Sequence, residues 1–114
     1  AANGYLNHQN LIGDSPSKRA TRQNYVCRKD YGSFYTEGVA ENIFQNWLFS
    51  STTWIGPIPV KDYKSEEEIA ESTVEGWMQS PGHKSNILEA NYDRVGTGVA
   101  VSKDEKVLIT QNFC

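Results

Sequence analysis

The spacing of apolar positions changes along this chain, and each change marks an element. Between residues 66 and 78 they fall at Ile69, Ala70, Thr73, Val74, Trp77 and Met78, the rhythm of one helical face. Ser65 precedes three glutamates, with Glu68 at the third helical position. The spacing therefore predicts a capping box at the start, and the carboxylates suit the positive end of the helix dipole. Pro81-Gly82 is expected to end this helix and to leave His83 just beyond it on a tight turn, with residues 86–88 adding one more turn. After that the period falls to two. Val95, Thr97, Val99 and Val101 alternate, residues 102–105 are polar, and Val107, Ile109, Gln111 and Phe113 alternate again, which predicts a hairpin of 94–101 with 106–113. Gly96 and Gly98 leave the other face of its first strand bare, room for a neighbouring backbone or a large side chain.

The first half is less regular. Ser15 and Pro16 suit the cap and first position of a short helix continuing over 17–25. From Ala40 to Leu48 the apolar residues Ile43, Phe44, Trp47 and Leu48 fit the i, i+1, i+4, i+5 face of a second helix, with Glu41 near its start. Residues 49–64, with Gly56, Pro57 and Pro59, read as an irregular connection. Helices beside an antiparallel hairpin, with no βαβ alternation, make this an α+β chain.

At 114 residues the chain is one domain, 1–114, with a single core. Its net charge of −3 and scattered Lys and Arg argue against a nucleic-acid partner. No apolar run approaches the ~20 residues of a transmembrane segment. Cys27 and Cys114 lie outside any metal-ligand spacing. Paired, they would close most of the chain into one loop, worth about 4–5 kcal/mol in the chain-entropy account, and would favour an oxidising compartment. The alternative is two separate buried thiols.

His8 and His83 are the only histidines. Singly, each is an ordinary surface or core residue, and Glu41 an ordinary helix-start carboxylate. Brought together in one cleft, two imidazoles and a carboxylate would make a site for zinc or another divalent cation, or a general acid–base pair. Ser80 stands three residues before His83; a helix-end serine is the plainer reading than a serine–histidine pair. The Glu66–Glu68 cluster reads as a solvated helix start.

Ala40-Glu41-Asn42-Ile43, the helix ending Gly76-Trp77-Met78, the run from Ser80 through Pro81-Gly82-His83 to Asn86-Ile87-Leu88, and Val95-Gly96-Thr97-Gly98-Val99-Ala100 occur in that order. Together they resemble the CAP superfamily, also called SCP/PR-1-like or the cysteine-rich secretory protein domain, in its bacterial and archaeal branch. Gly4-Tyr5-Leu6-Asn7-His8 is similar to a further family segment, and residues 108–113 to its last strand. The resemblance implies an α-β-α sandwich around a central antiparallel sheet and a secreted or cell-surface location. It also implies a cleft of two histidines and two acids that in some members binds a divalent ion. By motif position the cleft residues are His8, Glu41 and His83. The family's second glutamate falls at Ser80 here, which leaves Glu75, or Glu71, to stand in for it. The resemblance also implies a domain lacking its usual first helix, since the chain starts where that helix would end.

Three functions follow as expectations. The first is a binding module whose cleft takes a divalent cation, a small ligand or a lipid, or an extracellular protein partner, with no established catalysis. The second is a hydrolase using a His/Glu-activated water or a Ser80–His83 pair. The third is a structural or adhesive domain of an extracellular assembly.

Overall fold

A computed structural model describes residues 7–114; Gly4, Tyr5 and Leu6 of the upstream segment lie outside the described residues. Helix α1 (Pro16–Arg22) starts where Ser15 and Pro16 place it: the Ser15 side chain accepts from the Lys18 amide. It stops short of residue 25 because the chain turns at Asn24, whose φ of 60° is left-handed. Strands β1 (Arg28–Asp30) and β2 (Tyr35–Glu37) form a small hairpin of their own.

The stretch expected to be a second helix is strand β3 (Ala40–Trp47). It pairs antiparallel over its whole length with β7 (Lys106–Phe113), from Ala40 opposite Phe113 to Trp47 opposite Lys106. Ile, Phe and Trp are strand formers, and eight ladder positions outweigh a helical spacing that recurs only once. In the strand Phe44 and Ile43 point to opposite faces, so the supposed apolar stripe never forms. Residues 49–64 are corrected as well. They hold a hairpin of β4 (Phe49–Ile55) and β5 (Ile58–Tyr63), joined through Gly56 and Pro57. Gly56 has φ of 61° at the first loop position and proline follows, the requirement of a type II′ turn.

Helix α2 (Glu66–Met78) carries the expected capping box: Ser65 accepts from the Glu68 amide, and Glu68 accepts from the Ser65 amide. Its N-terminal carboxylates are solvated. Pro81-Gly82 does not form a turn beyond the helix. Proline opens a new helix, α3 (Pro81–Leu88), and His83 lies in its first turn. Strand β6 (Val95–Val101) completes the expected hairpin with β7, and the main sheet runs β3-β7-β6.

The core lies between this sheet and α2. Trp77, 4% exposed, packs on Val107 and Ile109, with Phe44, Leu48, Ile69 and Ile87 around them. Its ring meets Phe44 edge-on, centroids 6.4 Å apart. The predicted stripe is only half covered, since Val74 is exposed and, with Ala70, Val99 and Val101, lines an open groove of about 600 Å³. Cys27 and Cys114 are joined across 87 residues, which ties the β1–β2 hairpin to the end of β7. No helix among the described residues is long and apolar enough to cross a membrane.

At Gly76 α2 lies tight against the sheet: a Cβ there would sit 2.6 Å from Cε1 of Phe44. In an open helix Gly→Ala would stabilise by about 1 kcal/mol. Here overpacking, at about 1–3 kcal/mol, opposes and outweighs it. Gly76→Ala is therefore expected to lower the urea midpoint. A raised midpoint would show that Phe44 turns aside freely.

Candidate functional site

Neighbouring residues of a strand point to opposite faces, and β3 divides the expected site accordingly. The Glu41 side chain turns toward α1 and the Asn42 side chain toward α3. Glu41 is 1% exposed at its side chain. One oxygen lies 3.1 Å from His8 Nδ1, and the other accepts from Arg19 Nη2 at 2.6 Å. Arg19 also donates through Nη1 to the carbonyls of His8, at 2.6 Å, and Asp14, at 3.0 Å. The guanidinium therefore holds the carboxylate and the segment bearing His8 at once. The His8 side chain stays half exposed, and its second ring nitrogen makes no hydrogen bond among the described residues.

The turn behind this cluster is built by Asn10, whose side-chain oxygen accepts from the amides of Ile12 and Asp14. Asp14 is buried, with Arg22 Nε at 2.6 Å and Lys18 Nζ at 3.5 Å. Burial pushes its carboxyl up, but the Arg22 guanidinium, with hydrogen bonds from Asn10 and Lys18, pulls harder and holds it below the ordinary 3.8.

On the other face, Asn42 is fully buried. Its amide donates to the His83 carbonyl at 3.1 Å, and its oxygen accepts from Asn86 at 2.9 Å. Asn86 also reaches the Glu41 carbonyl, and Trp77 Nε1 donates to the Ile43 carbonyl at 3.0 Å. These bonds seat α2 and α3 against β3. His83 Nδ1 lies 2.9 Å from Ser80 Oγ. Ser80 is thus paired with the histidine, and its side chain does not cap its own helix.

The structure brings His8 onto Glu41 and leaves His83 with Ser80. Glu75 is exposed on α2 and makes no side-chain hydrogen bond or ion pair among the described residues. Among the described residues no group of three or more His, Cys, Asp and Glu side chains is placed to hold a metal ion. The Glu41 oxygens are spent on a guanidinium and an imidazole, so the donors as arranged do not fit a cation. One would have to displace Arg19. Arg19, Asn42 and Asn86 are the site residues that sequence reasoning missed. Asn42 and Asn86 sit inside motifs read for their neighbours Glu41 and His83, whereas nothing local distinguishes Arg19 from the other bases of α1.

A family model described as the cysteine-rich secretory protein family, CAP, matches residues 1–113. No curated protein and no solved structure matches the chain.

The Asp14 cluster makes a pH test. A folded pKa below the unfolded one contributes stability that is present above about 3.8 and is lost as pH falls through the folded value. Asp14→Asn should lower the urea midpoint near neutral pH, and its deficit should shrink as pH drops below about 4. A deficit that stays constant from about pH 5 to 2 would show that the ion pairs contribute nothing.

Proposed function

Since the chain belongs to the cysteine-rich secretory protein family, we propose that it works as an extracytoplasmic binding domain. In this reading the His8–Arg19–Glu41 cluster recognises a small polar ligand bearing an anionic group. The observation that carries it is the clamped carboxylate: Glu41 is buried and doubly bonded, and it presents a half-exposed imidazole with one ring nitrogen turned to no protein partner among the described residues. Three cations (Lys18, Arg19, Arg22) surround two carboxylates (Asp14, Glu41), so the local field favours an anion over a cation. The Cys27–Cys114 bond fits an oxidising, extracytoplasmic compartment.

Catalysis is the second reading, and the Ser80–His83 contact favours it. A serine nucleophile needs its histidine oriented by a third group. Among the described residues no carboxylate approaches His83, and Glu41, which could otherwise act as a base, is tied to a guanidinium. The ligand-binding reading therefore leads.

NMR titration with acetate, citrate and inorganic phosphate is expected to shift the signals of His8 and Arg19 and to lose that response in His8→Ala. Shifts confined to other regions, or unchanged in His8→Ala, would sink the proposal. Ester or peptide turnover abolished by both Ser80→Ala and His83→Ala would replace it with the hydrolase.

Zinc calorimetry on metal-stripped protein separates anion from cation. The wild type is expected to bind more weakly than micromolar, and Arg19→Met to bind more tightly because it frees Glu41. Micromolar binding by the wild type, lost in the His8→Ala/His83→Ala double variant, would establish a cation in the cleft instead.

A further inference from the structure

The two edges of the main sheet are finished differently. At β3, the carbonyls of Glu41 and Ile43 are taken by Asn86 and Trp77. At β6 the geometry leaves a complete row open. Arg94 and Cys114 exchange both backbone hydrogen bonds, at 2.9 and 3.0 Å, and the Ser102 amide donates to the Lys106 carbonyl at 2.9 Å. In an antiparallel ladder such pairs alternate, so the even-numbered residues of this strand face β7. Val95, Thr97, Val99 and Val101 then turn their N–H and C=O groups outward. Among the described residues nothing bonds to those eight groups. The usual protections of an edge are missing too: from Val95 to Val101 there is no proline, no charge and no break in register. Val99 is 65% exposed, and Val95 and Val101 are more than half exposed.

We propose that this edge pairs with β6 of a second copy of the chain. The pairing is antiparallel about a two-fold axis at Gly98 and makes one continuous sheet, β3-β7-β6-β6-β7-β3. This register sets Val95 opposite Val101 and Thr97 opposite Val99 of the second copy, and it engages all eight outward groups on each side. Just past the strand ends, where the Asp93 amide turns in to the Cys114 carbonyl and Lys103 opens the β6–β7 turn, it brings Asp93 near Lys103 of the second copy at both ends. Asp93 is 65% exposed at its side chain and meets Lys29 and, at 3.7 Å, Arg94 through Oδ1, which leaves Oδ2 for the new partner. Lys103 is exposed and has no partner among the described residues. Any strand could supply the hydrogen bonds. What selects a second copy is self-complementarity: an uncharged strand meets itself without like-charge repulsion, and the register with the most bonds is also the one that matches the flanking charges. Gly98 permits close approach at the axis, where a non-hydrogen-bonded pair brings Cα atoms to about 4.5 Å. The inference is independent of what the His8 cluster binds.

Light scattering on the eluting 114-residue chain, over a hundredfold range of concentration, reads the mass. A species of twice 12.8 kDa is expected at the high end. Val99→Lys changes an exposed side chain, so its circular dichroism and urea midpoint at low concentration should match the parent while the dimer is lost. Lys103→Asp brings like charges near each other twice and should weaken the dimer about tenfold. A mass of 12.8 kDa at every concentration would overturn the proposal. So would a dimer that survives Val99→Lys, or one that is indifferent to Lys103→Asp.

Discussion

The structure depends on how one edge strand satisfies its outward carbonyls. A strand paired on a single side leaves half of its backbone groups to find other donors, and burial makes that obligatory, since an orphaned buried acceptor costs about 1–3 kcal/mol. On β3 the donors are the indole of Trp77 and the amide of Asn86. Each bond also places a helix. Trp77 brings α2 close enough to bury its ring against Val107 and Ile109, and the resulting proximity leaves no room for a Cβ at residue 76. Asn86, linked through Asn42 to the His83 carbonyl, sets α3 beside the strand. The core and the seating of both helices therefore rest on the same few hydrogen bonds.

The same strand fixes the chemistry. Its two-residue period gives Asn42 to the helices and Glu41 to the opposite face, where α1 meets the sheet. A carboxylate buried there needs a partner, because desolvation without one would cost several kcal/mol. Arg19 supplies it, and its remaining donors hold the carbonyls of His8 and Asp14. The imidazole is thereby positioned through the Arg19–Glu41 salt bridge.

Legibility in the sequence followed the range of the interactions. The Ser65–Glu68 box, the Ser15 cap and the alternation of 95–101 and 106–113 are local devices, and each element formed where those residues placed it. Strand β3 carries a helical spacing in Ile43, Phe44, Trp47 and Leu48 over two turns; its partner, β7, lies 59 to 73 residues away in sequence. In 49–64, Gly56-Pro57 looks like an interruption by itself, but Thr52, Thr53, Trp54, Ile55, Ile58 and Val60 flank it with strand formers. The Pro81-Gly82 pair signals the start of a helix as readily as the end of one. The family motifs single out His8 and Glu41, and the fold brings their side chains into contact. They do not single out Arg19, because its role comes from the approach of α1 to β3, and no sequence spacing encodes that.

The β4–β5 hairpin shows what happens where such long-range support is thin. A two-stranded ribbon is marginal by itself in water, and its outer part leaves Trp54, Ile55 and Ile58 largely exposed. Its order must come from the base. There Glu105, held at a left-handed φ of 64° in the β6–β7 turn, accepts from Lys61 and from the Tyr63 hydroxyl, while its own carbonyl accepts from the Leu48 amide. Lys64 adds bonds to Asn46 and to the Trp47 carbonyl. The hydrogen bonds from Lys61 and Tyr63 hold the Glu105 carboxyl below its ordinary range, and the bond to Glu105 pushes the Lys61 ammonium above its own, as expected of a charge-assisted pair. One turn residue thus couples the hairpin to the main sheet. Stability along the chain should fall from that turn toward Gly56, and any ordering of the apolar tip has to come from something it touches.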